Sequence, residues 1–152
     1  VATAMGATPV QMPISQVYNA LQTGLIDGVI TGSSTLSDFK LDEVAASVTQ
    51  GAPLGRLSFY AVMSEAAYNG LSDSERAAVD AASGYELSRS AEVAWNATAE
   101  AALAAAAASG ENTMVQLTAA EAAAFTEVLA DVLNAYVSDV GGAATMAAMN
   151  GN

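Results

Sequence analysis

Residues 6–28 read GATPVQMPISQVYNALQTGLIDG, and no other stretch limits the fold as much. Gly6 ends an apolar turn, and residues 8–12 follow as a short extended segment. A helix is expected to open near Ser15, whose side-chain oxygen suits the N-cap because it can accept from a backbone N–H left unpaired by the helix. Val17, Ala20 and Leu21 fall at i, i+3 and i+4, so one face of that helix is laid against a core. Gly24 supplies the left-handed residue that closes it. A second extended piece spans residues 25–31, broken at Asp27-Gly28. Strand, helix and strand with short joints predict a parallel sheet. Ligands of open α/β sheets sit off the carboxyl ends of the strands. Here those ends are Pro13-Ile14-Ser15 and Thr31-Gly32-Ser33.

What the chain lacks narrows its chemistry. It has no Cys and no His, so disulfides, thiolate nucleophiles, the usual general base and the usual zinc ligands are all missing. The net charge is −12, with Lys40, Arg56, Arg76 and Arg89 as the four basic residues. Nucleic acid and anionic lipid surfaces both call for clustered cations, so neither is an expected partner. The sixteen carboxylates are scattered, in pairs such as Asp42/Glu43 and Asp73/Glu75, and read as solvated surface or caps. Asp27 lies between two apolar pieces, and is expected to be partly buried and to accept backbone N–H groups at its turn, with ligand contact as the less favoured alternative. The glycines form neither a phosphate loop nor a dinucleotide fingerprint. No enzyme activity, metal or cofactor is expected.

With 152 residues, 53% of them apolar, the chain can build one globular domain with a core. The run 97–108 is mostly alanine and shorter than the ~20 residues a bilayer needs. Val1, Ala4 and Met5 open the chain inside an apolar helical pattern with no cap ahead of it, which suggests a piece of a longer protein. Beyond residue 31, a polar Gly/Ser loop covers 31–37 and a short helix is expected over 38–48. A loop marked by Pro53 between Gly51 and Gly55 leads to residues 57–63, LSFYAVM, which read as a strand buried on both faces. Residues 71–110 form a long helical region opened by the capping box Ser72/Glu75, with a kink or break expected at Ser83-Gly84 and a C-cap at Gly110. A short strand is expected over 113–117. A second capping box, Thr118/Glu121, then opens a helix that runs through Tyr136 and ends at Gly141-Gly142. The Met-Ala-Gly-Asn-containing tail is expected to be a frayed helix or disordered.

The stretch 6–28 resembles the core motif of the periplasmic substrate-binding proteins of TRAP transporters, the DctP-like family. That motif runs roughly G-A-x-P-x-x-M-P-x-S-E-x-Y-x-A-L-Q-x-G-x-x-D-G, and the main departure here is Gln16 in place of Glu. Weaker similarity continues through DFKLDEV, the stretch from Ser58 to Gly84 and the closing helix. The resemblance implies an α/β, periplasmic-binding-protein-like lobe of type II kind with a long helix, incomplete without an N-terminal half. It divides the chain into 1–31 (strand, helix and strand of the second lobe), 32–70 (crossing loop, helix and strand), 71–110 (long helical region), 111–140 (strand and closing helix) and 141–152 (tail). It further implies a periplasmic protein that captures a small organic acid and delivers it to TRAP membrane permease subunits. The guanidinium that clamps the ligand carboxylate would lie upstream of Val1. Of the remaining contacts, Ile14 stands where members place an aromatic, Thr31 where some place an Asn, and Ser33 where some place a Trp. Tyr60 on the crossing strand completes the candidate set.

A competing reading takes the chain as a structural or interaction module, an Ala-rich helical half-protein that associates through exposed apolar surface. Self-association is the partner that this alternative names.

Overall fold

Three helices begin where the sequence supplies a partner for otherwise unpaired N–H groups. The Ser64 hydroxyl accepts from Ala67 N–H at 3.2 Å. The Ser72 hydroxyl accepts from Glu75 N–H while the Glu75 carboxylate accepts from Ser72 N–H at 2.8 Å. Thr118 and Glu121 repeat the same reciprocal pair, also at 2.8 Å. Both capping boxes legible in the sequence are therefore present.

The computed structural model describes residues 1–55 and 57–149. A 3₁₀ turn at Thr3–Met5 precedes α1 (Ile14–Gln22) and α2 (Thr35–Asp38), then a second 3₁₀ turn at Leu41–Glu43 leads into β1 (Ser47–Gln50). Three helices follow, α3 (Glu65–Asn69), α4 (Asp73–Ala81) and α5 (Tyr85–Ser109). β2 (Thr113–Gln116), α6 (Ala119–Asp139) and α7 (Ala143–Met149) complete the order. The end of the tail, residues 150–152, lies outside the described residues, as does Arg56.

Local chemistry accounts for several boundaries. α1 starts two residues earlier than Ser15 capping would give, because Pro13 takes the N-cap position with φ −60° and ψ 141°. Its ring fixes φ ahead of the helix, and Ser15 becomes the second residue of the first turn, with no cap bond. Gly24, at φ 70°, follows the helix end as expected. The helical region 71–110 is two helices rather than one bent one. Gly84 sits at φ 78° and ψ −146°, a conformation barred to residues with a Cβ, and it becomes the N-cap of α5. α5 is then a single helix of 25 residues, about 37 Å long.

The strand expectations divide. β2 forms where expected and pairs in parallel with β1, in the register Ser47↔Thr113 through Gln50↔Gln116. β1 was read as the end of a helix; β-branched Val48 and Thr49 instead take the ladder offered by β2. Residues 8–12, 25–31 and 57–63 are not strands, because among the described residues the sheet holds β1 and β2 alone. An extended segment becomes a strand only by pairing, and these three find no partner here. Consequently 57–63 is exposed rather than buried on both faces. Asp27 is exposed as well, contrary to the partly buried position expected for it.

The core gathers around one end of α5. Val17, Leu36, Leu41, Ala102 and Ala106 form a buried cluster, with Ile14, Tyr18, Leu21, Val48 and Met114 among the side chains packed on it. Alanines at 102 and 106 let α2 and the Leu41–Glu43 turn approach the helix closely. Leu41 is 2% exposed. Asn112 locks this end from the side: its Nδ2 donates to the Asp42 carbonyl at 2.8 Å and to the Ala45 carbonyl at 2.6 Å. Away from the cluster packing thins, and α6 rests mainly on the Thr3–Met5 turn and α7.

The Thr118/Glu121 box yields a test with a sign. Glu121 is held below its ordinary carboxylate value of 4.5 by the Thr118 backbone N–H, then by the Thr118 hydroxyl. A carboxylate whose pKa is depressed by folding adds stability in full above that ordinary value and loses it as pH falls through the folded one. Thr118→Ala should cost about 1 kcal/mol at pH 7 through the lost cap hydroxyl. In urea unfolding the gap between variant and parent should narrow below about pH 4.5; a gap independent of pH would contradict the bond from the Thr118 hydroxyl to the Glu121 carboxylate.

Candidate functional site

The sequence directs attention to the start of α1 and the loop before α2. Ile14 is the first residue of α1 and packs half-buried on the core cluster. Four and three residues on, Tyr18 and Val17 reach the same cluster, as helical spacing requires. Thr31 is exposed, Ser33 half-buried and Ser34 buried at 4%. These residues lead directly into α2, whose Leu36 lies in that same cluster. Thr35 fastens the turn, its hydroxyl donating to the Gly32 carbonyl at 2.7 Å. The start of α1 and the loop 31–34 are thus both anchored on a single body of packed side chains.

Tyr60 is held elsewhere. Its side chain is 85% exposed, and its neighbour Phe59 stacks on Trp95 with ring centroids 4.5 Å apart. Trp95 precedes Ala102 by seven residues, about 10 Å along α5. Ile14 and the loop 31–34 therefore share the cluster end of α5, whereas Tyr60 stands on its other half.

The start of α1 is electrostatically open. Ile14 and Ser15 contribute first-turn N–H groups with no intrahelical partner, no side chain caps them, and no acidic residue lies in that turn. Of sixteen carboxylates, all but Asp27 lie at Asp38 or beyond. The whole segment before α2 is therefore nearly free of negative charge in a chain of net charge −12. A helix N-terminus in such surroundings favours an anion. A shallow hollow of about 290 Å³ lies beside this helix, lined by Met12, Ser15, Gln16, Asn19, Ala20, Thr23 and Leu25.

No described guanidinium borders this region. Arg76 is occupied at the start of α4, where it donates to the Leu71 carbonyl at 2.8 Å and pairs with Asp73. Arg89 lies exposed on the first half of α5. Arg56, which adjoins the crossing segment in sequence, lies outside the described residues. No group of His, Cys, Asp and Glu suited to a metal ion occurs among the described residues, and no described helix is long and apolar enough to cross a membrane.

One tether escaped the sequence reading. The Tyr18 hydroxyl donates to Glu43 Oε2 at 2.8 Å, and Lys40 Nζ lies 3.4 Å from Glu43 Oε1. Glu43 is held below the usual carboxylate range, first by the Tyr18 hydroxyl and then by Lys40. The same bond raises the Tyr18 phenol, with burial adding to it. Lys40 adopts φ 54°, the one non-glycine with positive φ among the described residues, and so turns the chain back toward α1. This joins α1 to the turn that carries Leu41. Its twenty-five-residue separation leaves no periodic signal; only the Tyr in the motif and the Glu in DFKLDEV hint at it. Asn112 was missed for the same reason.

Comparison with known proteins follows this geometry. The DctP family, described as bacterial extracellular solute-binding protein, family 7, matches residues 1–139. The C4-dicarboxylate-binding periplasmic protein DctP of Rhodobacter capsulatus is 32% identical over 146 residues, which is 96% of this chain and 43% of that protein. A solute-binding protein of Albidiferax ferrireducens is 41% identical over 46 residues, 30% of this chain and 14% of the relative. Among solved structures, a TRAP periplasmic solute-binding protein from Bordetella bronchiseptica, with bound (R)-mandelate and (S)-mandelate, matches with a TM-score of 0.76. It is 27% identical and the match covers 92% of this chain and 44% of that one. The chain spans less than half the length of the Rhodobacter and Bordetella proteins. Its fold is the α/β arrangement of a periplasmic binding-protein lobe, with a small parallel sheet and a long helix.

Removing the tether should be visible directly. Tyr18→Phe is expected to return the Glu43 pKa toward its ordinary value, with Lys40 still lowering it in part, as read by carboxyl ¹³C titration. An unchanged Glu43 titration would show that the bond does not form in solution.

Proposed function

The chain belongs to family 7 of the bacterial extracellular solute-binding proteins, and from that premise we propose that it serves TRAP-type transport in the periplasm. In this reading it forms one lobe of a protein that captures a small organic acid and passes it to membrane permease subunits. Binding and lobe closure are its work, and no bond is made or broken. The bound anion favours the closed arrangement because it contacts both walls there and one wall in the open form.

The observation that carries this reading is the shared seat of α1 and the loop 31–34, at the end of the chain nearly free of carboxylates. An incoming carboxylate meets unpaired N–H groups of Ile14 and Ser15 there, without repulsion from neighbouring acids. Ile14 supplies an apolar wall, while Thr31 and Ser33 supply hydroxyls able to donate or accept. The known relatives fit this chemistry: the Rhodobacter protein is named for C4-dicarboxylates and the Bordetella structure holds mandelate, and both ligands are small carboxylates. Firm binding further requires a bidentate guanidinium, which neither Arg76 nor Arg89 is placed to give.

Two measurements separate the parts of this proposal. With succinate or mandelate added to the 152-residue chain, amide shifts should move at residues 14–16 and 31–34, with a Kd of about 1 mM or weaker. Ile14→Glu should abolish them by setting a like charge at the start of α1. Shifts confined to other parts of the chain, or none at all, would overturn the site. Binding a thousandfold tighter would keep the site and remove the need for a further guanidinium.

A further inference from the structure

The Leu41–Glu43 turn is gripped on both sides of Glu43. Asn112 donates to the Asp42 carbonyl at 2.8 Å and to the Ala45 carbonyl at 2.6 Å. Leu41 is buried in the cluster, and Lys40 enters the turn at φ 54°. α2 packs on this turn, and the loop 31–34 runs straight into α2. One side of the proposed capture site is therefore registered on the turn by packing and by the course of the backbone.

The other side, α1, meets the turn through a directional bond. Val17 and Ala20 bury one face of α1, but apolar contact has no preferred direction and leaves a helix free to roll by small amounts. The bond from the Tyr18 hydroxyl to Glu43 Oε2, 2.8 Å long, does have one. Lys40 Nζ, 3.4 Å from Oε1, holds the other oxygen of the same carboxylate. Tyr18 lies four residues beyond Ile14, on the same helix face and about 6 Å along the axis. A roll of α1 that broke the bond would turn Ile14 and the open first-turn N–H groups with it. Charge gives Glu43 no reason to be tied here, because a carboxylate close to an anion site repels the ligand and occupies the Lys40 ammonium.

We propose that Tyr18 and Glu43 are positioning residues for solute capture: their bond sets the roll of α1 so that its N-terminus and the loop 31–34 address the same carboxylate. The inference rests on the capture site proposed above and adds the pair that registers its two sides on one turn. Neither residue touches the solute in this account, and Glu43 acts as an acceptor in spite of its charge.

Mandelate titrations, followed through the amide shifts of residues 14–16 and 31–34, test it on the 152-residue chain. Tyr18→Phe and Glu43→Ala should each weaken binding about three- to tenfold. The double variant should be no weaker than the weaker single one, since both remove the same bond. Glu43→Gln, whose amide oxygen still accepts from Tyr18, should bind as tightly as the parent or more tightly. Tighter binding by Glu43→Ala would overturn the proposal and leave Glu43 a repelling charge. Full additivity in the double variant, or a Glu43→Gln variant as weak as Glu43→Ala, would overturn it equally. Without ligand, amide residual dipolar couplings should show α1 reoriented relative to β1 and β2 in Tyr18→Phe and parental in Glu43→Gln. An unmoved α1 in Tyr18→Phe would overturn the positioning role by itself. Parental shifts that persist with unchanged affinity in Tyr18→Phe and Glu43→Ala would remove this role alone, whereas a parent with no shifts would remove the capture site and this role with it.

Discussion

The structure depends on the contact of Val17, Leu36 and Leu41 with Ala102 and Ala106 of α5. These side chains come from α1, α2, the Leu41–Glu43 turn and α5, elements far apart in sequence. Burying a Leu or Val side chain is worth roughly 1.5 to 3 kcal/mol. In a chain with few other buried positions, this cluster is the main source of order among the described residues. Small residues on α5 are what permit it, because a larger side chain at position 102 or 106 would hold the turn and α2 away from the helix. Of the residues proposed for ligand capture, Ile14 and the loop 31–34 depend on this contact, and Tyr60 does not. Ile14 rests on it directly, and the loop 31–34 is drawn to it through Leu36.

Polar bonds refine what packing brings together. Asn112 spans from the β2 approach to the carbonyls of Asp42 and Ala45, and Glu43 from the same turn receives the Tyr18 hydroxyl. One short turn thereby ties the end of α5, the start of the sheet and the middle of α1. Because Asn112 is buried, its two bonds matter more than those of the exposed Lys40–Glu43 pair. By contrast, the first half of α5, the segment 57–63 and much of α6 have little packed against them. The molecule is therefore ordered firmly at one end of its long helix and loosely at the other.

How much of this the sequence showed follows from the range of each interaction. Helix starts at Ser72 and Thr118 and the face of α1 were legible because each depends on residues three or four positions apart, and the break at Gly84 because it depends on one residue alone. The strand reading of 57–63 failed because a strand needs a partner, and composition cannot say whether one is at hand. β1 was mistaken for helix for the converse reason: its partner lies 66 residues away in β2. Ile14 and Thr31 were picked out through a resemblance; Ile14 packs on the cluster, whereas Thr31 is exposed and joins it only through the chain that leads to Leu36. The tether from Tyr18 to Glu43 and the Asn112 clamp join distant residues with no periodic signal, and they came into view only in three dimensions.

Native-state hydrogen exchange tests the central claim most directly. If the cluster on Ala102 and Ala106 organises the molecule, α1, β1, β2 and the second half of α5 should be the slowest to exchange. They should also open together, with one common free energy. The first half of α5 and α6 should exchange faster and independently. Slowest exchange in α6 or in the first half of α5, or separate opening of α1 from the end of α5, would contradict this account.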